Sequence, residues 1–255
     1  MKGAETIVRV VLFYLLTAIA VLLISPLFGP YTSYLVIIAL SLIFMAISKI
    51  AIKPGNPIPG LAAGSLAIVT VFLIMLSAGG ITVNGLNINY YTPNIIIGGV
   101  LFQIFVALGE ELSFRQYIFA DLERATGTTP AAAISALGFA AMHLPSIISL
   151  ETAPTEAIIA LTTISIAGVI LALLFIKGGL LAAAGFHFAW NFLQYSVLGL
   201  GDMSSVLNVT KTGSALINGA AYGPEASIPG LIVIGAVLVS IWYIYGGPVP
   251  KTQHV

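Results

Sequence analysis

Long apolar runs follow one another along almost the whole chain, and each is close to the length that crosses a lipid bilayer. A helix needs about 20 apolar residues to span the hydrocarbon. Turns rich in Gly and Pro separate the runs. Eight candidate spans result, at about 6–28, 31–48, 60–78, 94–120, 130–148, 156–176, 179–200 and 229–246. The sequence therefore predicts an all-α fold: a polytopic membrane helix bundle of about eight transmembrane helices, forming a single integral membrane domain over residues 1–255.

The composition excludes several classes of protein and site. Hydrophobic residues make up 59% of the chain and charged residues 7%, whereas a soluble domain carries about 25% charged residues. The net charge is zero, so nothing in the balance of charges favours a nucleic-acid partner. The chain has no cysteine, which excludes disulfides, thiolate metal ligands and a cysteine nucleophile. The lipid bilayer is the one partner that the composition requires.

The distribution of Lys and Arg predicts how the bundle is oriented, because positive charges concentrate on the cytoplasmic side. With the N-terminus inside and the first span uncleaved, the outer loops hold only Lys211. The inner segments hold Lys2, Lys49, Lys53, Arg124, Lys177 and Lys251. We therefore expect both termini to be cytoplasmic. In an outer loop, alternating polar and apolar residues over Ile81–Tyr91, around Asn84-Gly85, predict a short hairpin.

Charged residues in the fourth run mark a functional site, because ionisable groups inside a membrane are costly and usually serve a function. Glu110, Glu111 and Arg115 follow the apolar stretch 95–108. Glu111 and Arg115 are four residues apart and share a helix face, so they form a predicted ion pair with a supporting role. Glu110 lies about 100° round the helix from Glu111. Its side chain therefore points away from the face that Glu111 and Arg115 share.

Two later spans carry the two histidines of the membrane region. His143 follows Phe139 by one helical turn, and His187 is followed one turn later by Asn191, so each pair shares a helix face. At 1.5 Å per residue, these groups and Glu110 lie about 15–21 Å from the nearest predicted cytoplasmic markers. We therefore expect Glu110, His143, His187 and Asn191 to converge at one depth.

This set of groups suits hydrolysis. A carboxylate in an apolar pocket is a good general base for a water molecule, and an imidazole with an amide N–H can stabilise an oxyanion. The alternative is a zinc site on His143, His187 and Glu110 with a bound water. The residues leave both open. Asn191 favours the first, because an amide is a poor zinc ligand and a good oxyanion donor.

The motifs resemble a known family of membrane proteases. Glu-Glu-x-x-x-Arg at 110–115, Phe-x-x-x-His at 139–143 and His-x-x-x-Asn at 187–191 are similar to the motifs of the CAAX-protease and bacteriocin-processing (Abi) family. This family includes the Ras-converting CAAX endopeptidases. The resemblance covers about residues 94–200, the predicted catalytic core. It implies a glutamate-dependent protease without a required cofactor, in which Glu110 activates water and His143, His187 and Asn191 bind the water and the oxyanion.

Three functions remain after the resemblance is taken into account. The first is an intramembrane endopeptidase acting on a peptide or protein, with prenylated CAAX proteins as one substrate class. The second is an ion-coupled transporter, which would also need buried Glu and His, although no internal repeat is evident. The third is a catalytically silent protein that binds peptides or partners. Outside the motifs, we expect Trp190 to serve packing or to anchor its span at the interface, and Asp202 and Glu225 to be solvated loop residues.

Overall fold

The computed structural model describes residues 2–201 and 203–245; Lys251 and Asp202, both used above, lie outside them. Helices dominate the chain. They are α1 (Lys2–Phe28), α2 (Pro30–Ile47), α3 (Ile58–Ser77), α4 (Thr92–Glu111), α5 (Ala120–Thr126), α6 (Thr128–Ala141), α7 (Leu144–Ser149), α8 (Pro154–Gly178), α9 (Leu180–Phe192), α10 (Ala215–Asn218) and α11 (Ile228–Tyr245). Two π-helical segments (Leu112–Phe119 and Leu193–Val197), a 3₁₀ turn (Pro224–Ala226) and strands β1 (Ile81–Leu86) and β2 (Leu207–Lys211) complete the fold.

The predicted all-α membrane bundle is confirmed. Within the described residues, seven helices are long and apolar enough to cross a bilayer. They are Gly3–Phe28, Pro30–Ile47, Ile58–Ser77, Thr92–Thr126, Thr128–Ser149, Pro154–Gly178 and Ile228–Tyr245. These seven correspond to seven of the eight predicted spans. The fourth continues six residues beyond its predicted end, since α4, the first π-helical segment and α5 run on without a break.

The remaining predicted span, 179–200, is a shorter and more polar element. It consists of α9 and the second π-helical segment, and His187, Asn191 and Gln194 lower its apolar character. The two strands nevertheless require it to cross the bilayer. Strand β1 precedes α4 and pairs with β2, which follows α9, so both strands lie on one side of the membrane. Three of the seven long helices lie between the strands, and three crossings would leave the chain on the opposite side of the membrane. A fourth crossing, by α9, returns it to the side of β1.

The predicted hairpin over Ile81–Tyr91 is wrong. Strand β1 pairs antiparallel with β2, from Ile81 opposite Lys211 to Leu86 opposite Leu207. Gly85, expected at a hairpin turn, instead lies where the register shifts, with a φ of 142°. The alternation of side chains correctly indicated a strand, but an alternating pattern is local and carries no information about which segment pairs with it.

Helix α9 is held against α3 by glycines that let the two backbones touch. A Cβ atom on Gly60 would lie 1.9 Å from the carbonyl oxygen of Ala182, and one on Gly64 would lie 2.4 Å from that of Phe186. On the other side of the contact, a Cβ on Gly185 would meet the Pro57 carbonyl oxygen at 2.6 Å. Small residues at a helix crossing allow this close approach in a membrane. The contact fixes the helix that carries His187 and Asn191.

Candidate active site

The two glutamates lie at the point where the fourth span changes its helical form. Glu110 and Glu111 are the last residues of α4, and Leu112–Phe119 continues as a π-helix. Such segments are rare and frequently occur at functional sites. Because the helix does not end here, Glu110 is not a terminal group in bulk water; its side chain is 19% exposed.

The predicted pair between Glu111 and Arg115 is present and completely buried. Nη1 of Arg115 donates to Oε1 of Glu111 at 3.1 Å, and neither side chain is exposed. Nη2 of the same guanidinium donates to the carbonyl oxygen of Gly168 at 3.3 Å. Its central carbon lies 4.3 Å from the centre of the Phe139 ring, a cation–π distance. Arg115 therefore joins the Glu111 helix to α8 and to the predicted supporting residue Phe139.

Glu111 also holds His187, a contact that the spacing of the motifs does not predict. Nδ1 of His187 lies 2.9 Å from Oε1 of Glu111, the same oxygen that receives Arg115. Since a carboxylate oxygen accepts, Nδ1 carries the hydrogen of this bond. Nε2 of His187 lies 3.7 Å from Oε2 of Glu110. The imidazole therefore lies between the two glutamates, oriented by one and facing the other.

One carboxylate oxygen of Glu110 accepts a hydrogen bond, and the other accepts none from the described residues. Oη of Tyr34 donates to its Oε1 at 3.0 Å. Its Oε2 is buried and receives no hydrogen bond from the described residues. Tyr34 lies in α2, a span that the sequence predicts from its apolar character alone. Its hydroxyl could not be distinguished in the sequence from that of a tyrosine anchoring a span at the interface.

His143 and Asn191 present polar groups to the same space. Nδ1 of His143 lies 2.9 Å from the carbonyl oxygen of Phe139, so the hydrogen is on Nδ1 and the neutral ring keeps Nε2 as an acceptor. Glu110, His143, His187 and Asn191 all line one cavity of about 250 Å³, here called the main cavity. The four residues therefore converge, whatever their roles. A second cavity, of about 200 Å³, also reaches Glu110 and His143.

Comparison with known proteins identifies the segment that carries these residues. A family model named Rce1-like matches residues 92–193. Its description is type II CAAX prenyl endopeptidase Rce1-like. This segment is therefore similar to the Rce1-like family. The family resemblance stated from the motifs is thereby confirmed. The Rce1-like segment begins with α4 and contains Glu110, His143, His187 and Asn191, while Tyr34 lies before it. No curated protein shows significant similarity to the chain.

Beyond the Rce1-like segment, Glu225 corrects two expectations. It was expected to be solvated in an outer loop, but its carboxylate lines the main cavity. Nε1 of Trp190 donates to its Oε1 at 2.7 Å, and Nε2 of Gln194 donates to its Oε2 at 3.1 Å. Trp190 therefore does more than pack. Burial, followed by the charge of Glu225, raises the pKa of Tyr222. The positions of Trp190 and Gln194, three and seven residues after His187, were a readable signal of a shared face.

The described residues contain no group of three His, Asp or Glu side chains placed to hold one metal ion. The zinc alternative needed His143, His187 and Glu110 as such a group. Nδ1 of His143 bonds to a backbone carbonyl and Nδ1 of His187 bonds to Glu111. Such bonds on one ring nitrogen are usual for metal-binding histidines and leave each Nε2 available, so these contacts are compatible with either alternative. Whether catalysis requires a metal remains a prediction for experiment.

Proposed function

We propose that the chain is an intramembrane endopeptidase in which Glu110 activates a water molecule to hydrolyse a peptide bond. The observation that carries the proposal is the placement of Oε2 of Glu110. This oxygen is buried, accepts no hydrogen bond from the described residues, and belongs to a side chain that shares the main cavity with two histidines and an asparagine. All four residues fall inside the Rce1-like segment.

Glu110 acts as the general base. Tyr34 holds Oε1, which leaves Oε2 to accept a proton from water as the water oxygen bonds to the scissile carbonyl carbon. Nε2 of His143, an acceptor in its neutral ring, accepts a hydrogen bond from the other O–H of that water, whose hydrogen stays on the oxygen. When the C–N bond breaks, Glu110 returns the proton to the leaving amine. The proton thus passes from water to the departing nitrogen, and Glu110 ends in its original state.

His187 and Asn191 stabilise the tetrahedral intermediate. Glu111 fixes the His187 ring through Nδ1, so that Nε2 faces Glu110 across 3.7 Å. Nε2 donates to the substrate oxygen when the ring carries a hydrogen on both nitrogens, and the two neighbouring carboxylates stabilise that charged form. Asn191 follows one helical turn later on the same face and lines the main cavity, so its amide can donate to the same substrate oxygen. Donors fixed in this way before reaction act where charge develops and need no reorganisation.

The substrate class we propose is a peptide or protein chain cut near its C-terminus, with prenylated proteins ending in Cys-a-a-X as the first candidates. The description of the matching family names prenyl endopeptidases. A site within a membrane bundle suits such a substrate, because a prenyl chain can remain in the lipid while the peptide enters the main cavity.

The test is a cleavage assay with purified protein in lipid vesicles and a fluorogenic farnesylated peptide ending in Cys-a-a-X. We expect the wild-type chain to cleave it and Glu110→Gln to lose at least about 10³-fold in kcat, because a carboxamide cannot take up the proton. Glu5→Gln is the matched control, since Glu5 is an exposed carboxylate in α1. A wild-type chain that binds the peptide without cleaving it would support the catalytically silent alternative. Wild-type turnover by Glu110→Gln would overturn the role of Glu110.

A further inference from the structure

Four residues of α9 and the π-helical segment after it form a single polar face. His187, Trp190, Asn191 and Gln194 stand at positions i, i+3, i+4 and i+7, which share one face of a helix. All but Gln194 line the main cavity. We call these four residues the α9 stripe. Glu111 bonds the first of them, His187, at 2.9 Å.

The other end of the stripe is bonded by Glu225. One carboxylate oxygen accepts from Nε1 of Trp190 at 2.7 Å and the other accepts from Nε2 of Gln194 at 3.1 Å. These donors lie on either side of Asn191 along the stripe. Glu225 thus connects α9 to the segment that precedes α11.

The backbone that presents Glu225 is tightly turned and internally bonded. The amide of Gly223 donates to the carbonyl oxygen of Gly219 at 3.0 Å, and the amide of Ala226 donates to that of Gly223 at 3.0 Å. Gly219 and Gly223 have positive φ values of 75° and 102°, which glycine adopts without strain. A Cβ on Gly219 would lie 1.7 Å from the Gly223 carbonyl oxygen. The hydroxyl of Ser227 donates to the carbonyl oxygen of Pro224 and accepts a hydrogen bond from the amide of Gly230.

From these contacts we infer that Glu225 is a positioning residue for the proposed hydrolysis. Through Trp190 and Gln194 it fixes the rotation of the α9 stripe, and with it the direction in which Asn191 faces the scissile carbonyl. Glu111 fixes the stripe at His187 and Glu225 fixes it beyond Asn191, so the two oxyanion donors are held between two carboxylates. The inference rests on the proposed function, and Glu225 itself does not contact the reacting atoms.

Two variants of Glu225 separate positioning from a role of its charge. Glu225→Ala removes both acceptors. Glu225→Gln keeps an acceptor for Trp190. Oε1 of Gln194 is buried without a hydrogen-bond partner among the described residues. If the Gln194 amide rotates by 180°, this oxygen can accept a hydrogen bond from the new amide N–H at position 225. We expect Glu225→Ala to lower kcat about 10- to 10²-fold with KM nearly unchanged, as misplacement of a reacting geometry does. Glu225→Gln should retain most of the wild-type kcat.

A double-mutant cycle tests whether the effect passes through Trp190. Trp190→Phe keeps the ring and removes the N–H donor, so it should lower kcat in the same direction. Trp190→Phe combined with Glu225→Ala should cost less than the product of the two single effects, because both remove the same bond. Trp242→Phe is the matched control: Trp242 lies in α11 and is 47% exposed.

A fluorescence measurement gives a readout that needs no substrate. The chain has two tryptophans, so in a Trp242→Phe background the emission reports on Trp190 alone. We expect Glu225→Ala to shift this emission and Glu225→Gln to leave it near that of the parent. If the wild-type chain cleaves no peptide but Glu225→Ala still shifts the emission, the proposed function is contradicted. The same result would support the anchoring of α9 by Glu225.

Three results would overturn the inference. Unchanged emission and kcat in Glu225→Ala would show that the contact positions nothing. Equal losses of kcat in Glu225→Ala and Glu225→Gln would assign the effect to the charge instead of the hydrogen bonds. A rise in KM with kcat unchanged in Glu225→Ala would make Glu225 a substrate-binding residue.

Discussion

His187 and Arg115 bind the same carboxylate oxygen, Oε1 of Glu111, at 2.9 and 3.1 Å. The buried ion pair is therefore continuous with the candidate active site, although the spacing of the residues predicted only the pair. Glu111 supports the helix through Arg115 and orients the imidazole through His187. A change at this residue should consequently affect both stability and activity.

For Glu111→Gln we expect both effects in one variant. The carboxamide leaves the Arg115 charge buried without its counter-ion, and breaking such a pair typically costs about 3–5 kcal/mol. It also weakens the acceptor that orients His187, so kcat per folded molecule should fall. Thermal unfolding in detergent and a cleavage assay of the folded fraction measure the two effects. Glu123→Gln, at the predicted cytoplasmic end of the same long helix, is the control. Full kcat in the folded fraction would limit Glu111 to a structural role.

Removal of the Asn191 amide should reduce catalysis without weakening substrate binding. Loss of one oxyanion donor typically costs about 2.7–4 kcal/mol in the transition state, or about 10²–10³ in rate. Asn191→Ala should therefore lower kcat by that factor while KM stays close to the wild-type value. Steady-state kinetics on the farnesylated peptide measure both. A rise in KM alone would place Asn191 in substrate binding.

Tyr34→Phe tests whether Glu110 needs the hydrogen bond that it accepts from α2. The substitution removes one hydrogen bond to a carboxylate, a bond of about 1.5–3 kcal/mol, and leaves the ring in place. We expect kcat to fall about 10-fold, because Glu110 gains freedom to rotate away from the water. Tyr31→Phe is the control, since the hydroxyl of Tyr31 is on the same helix and donates to the carbonyl oxygen of Gly98, away from Glu110. Equal rates for the two variants would contradict a role for Tyr34.

Catalysis should persist without a metal. Purified protein assayed after exhaustive chelation should keep its kcat, and elemental analysis should find less than stoichiometric zinc. The expectation rests on the donors available, because Asn191 is an oxyanion donor and not a zinc ligand. Loss of activity on chelation that zinc alone restores would overturn it, and would place Glu110 and the two histidines around the ion.

The orientation of the bundle can be tested because the chain has no cysteine of its own. Tyr90, in the segment between β1 and α4, is 86% exposed and lies on the predicted outer side. Ala125, near the end of α5, is exposed and lies on the predicted cytoplasmic side. In intact cells an impermeant thiol reagent should label Tyr90→Cys and leave Ala125→Cys unlabelled. The reverse pattern would invert the topology.

The sequence predicted best what depends on neighbouring residues. Long apolar runs determine spans, and four-residue spacing determined the Glu111–Arg115 pair, because both follow from the geometry of a single helix. The contacts that it missed join distant segments: Tyr34 to Glu110, Glu225 to Trp190, and β1 to β2. The π-helical segments were also missed, since the sequence around Leu112 and Leu193 reads as ordinary helix.

The pairing of β1 with β2 has a consequence for the order in which the protein is made. Ile81 finds its partner only at Lys211, after the four membrane crossings between the strands have left the ribosome. Until then β1 is an unpaired edge outside the bilayer, and the segments before α4 and after α9 are independent. Completion of the small sheet is therefore a late step of biogenesis, and a chain that stops after α9 should insert its candidate catalytic residues without ever joining these two loops.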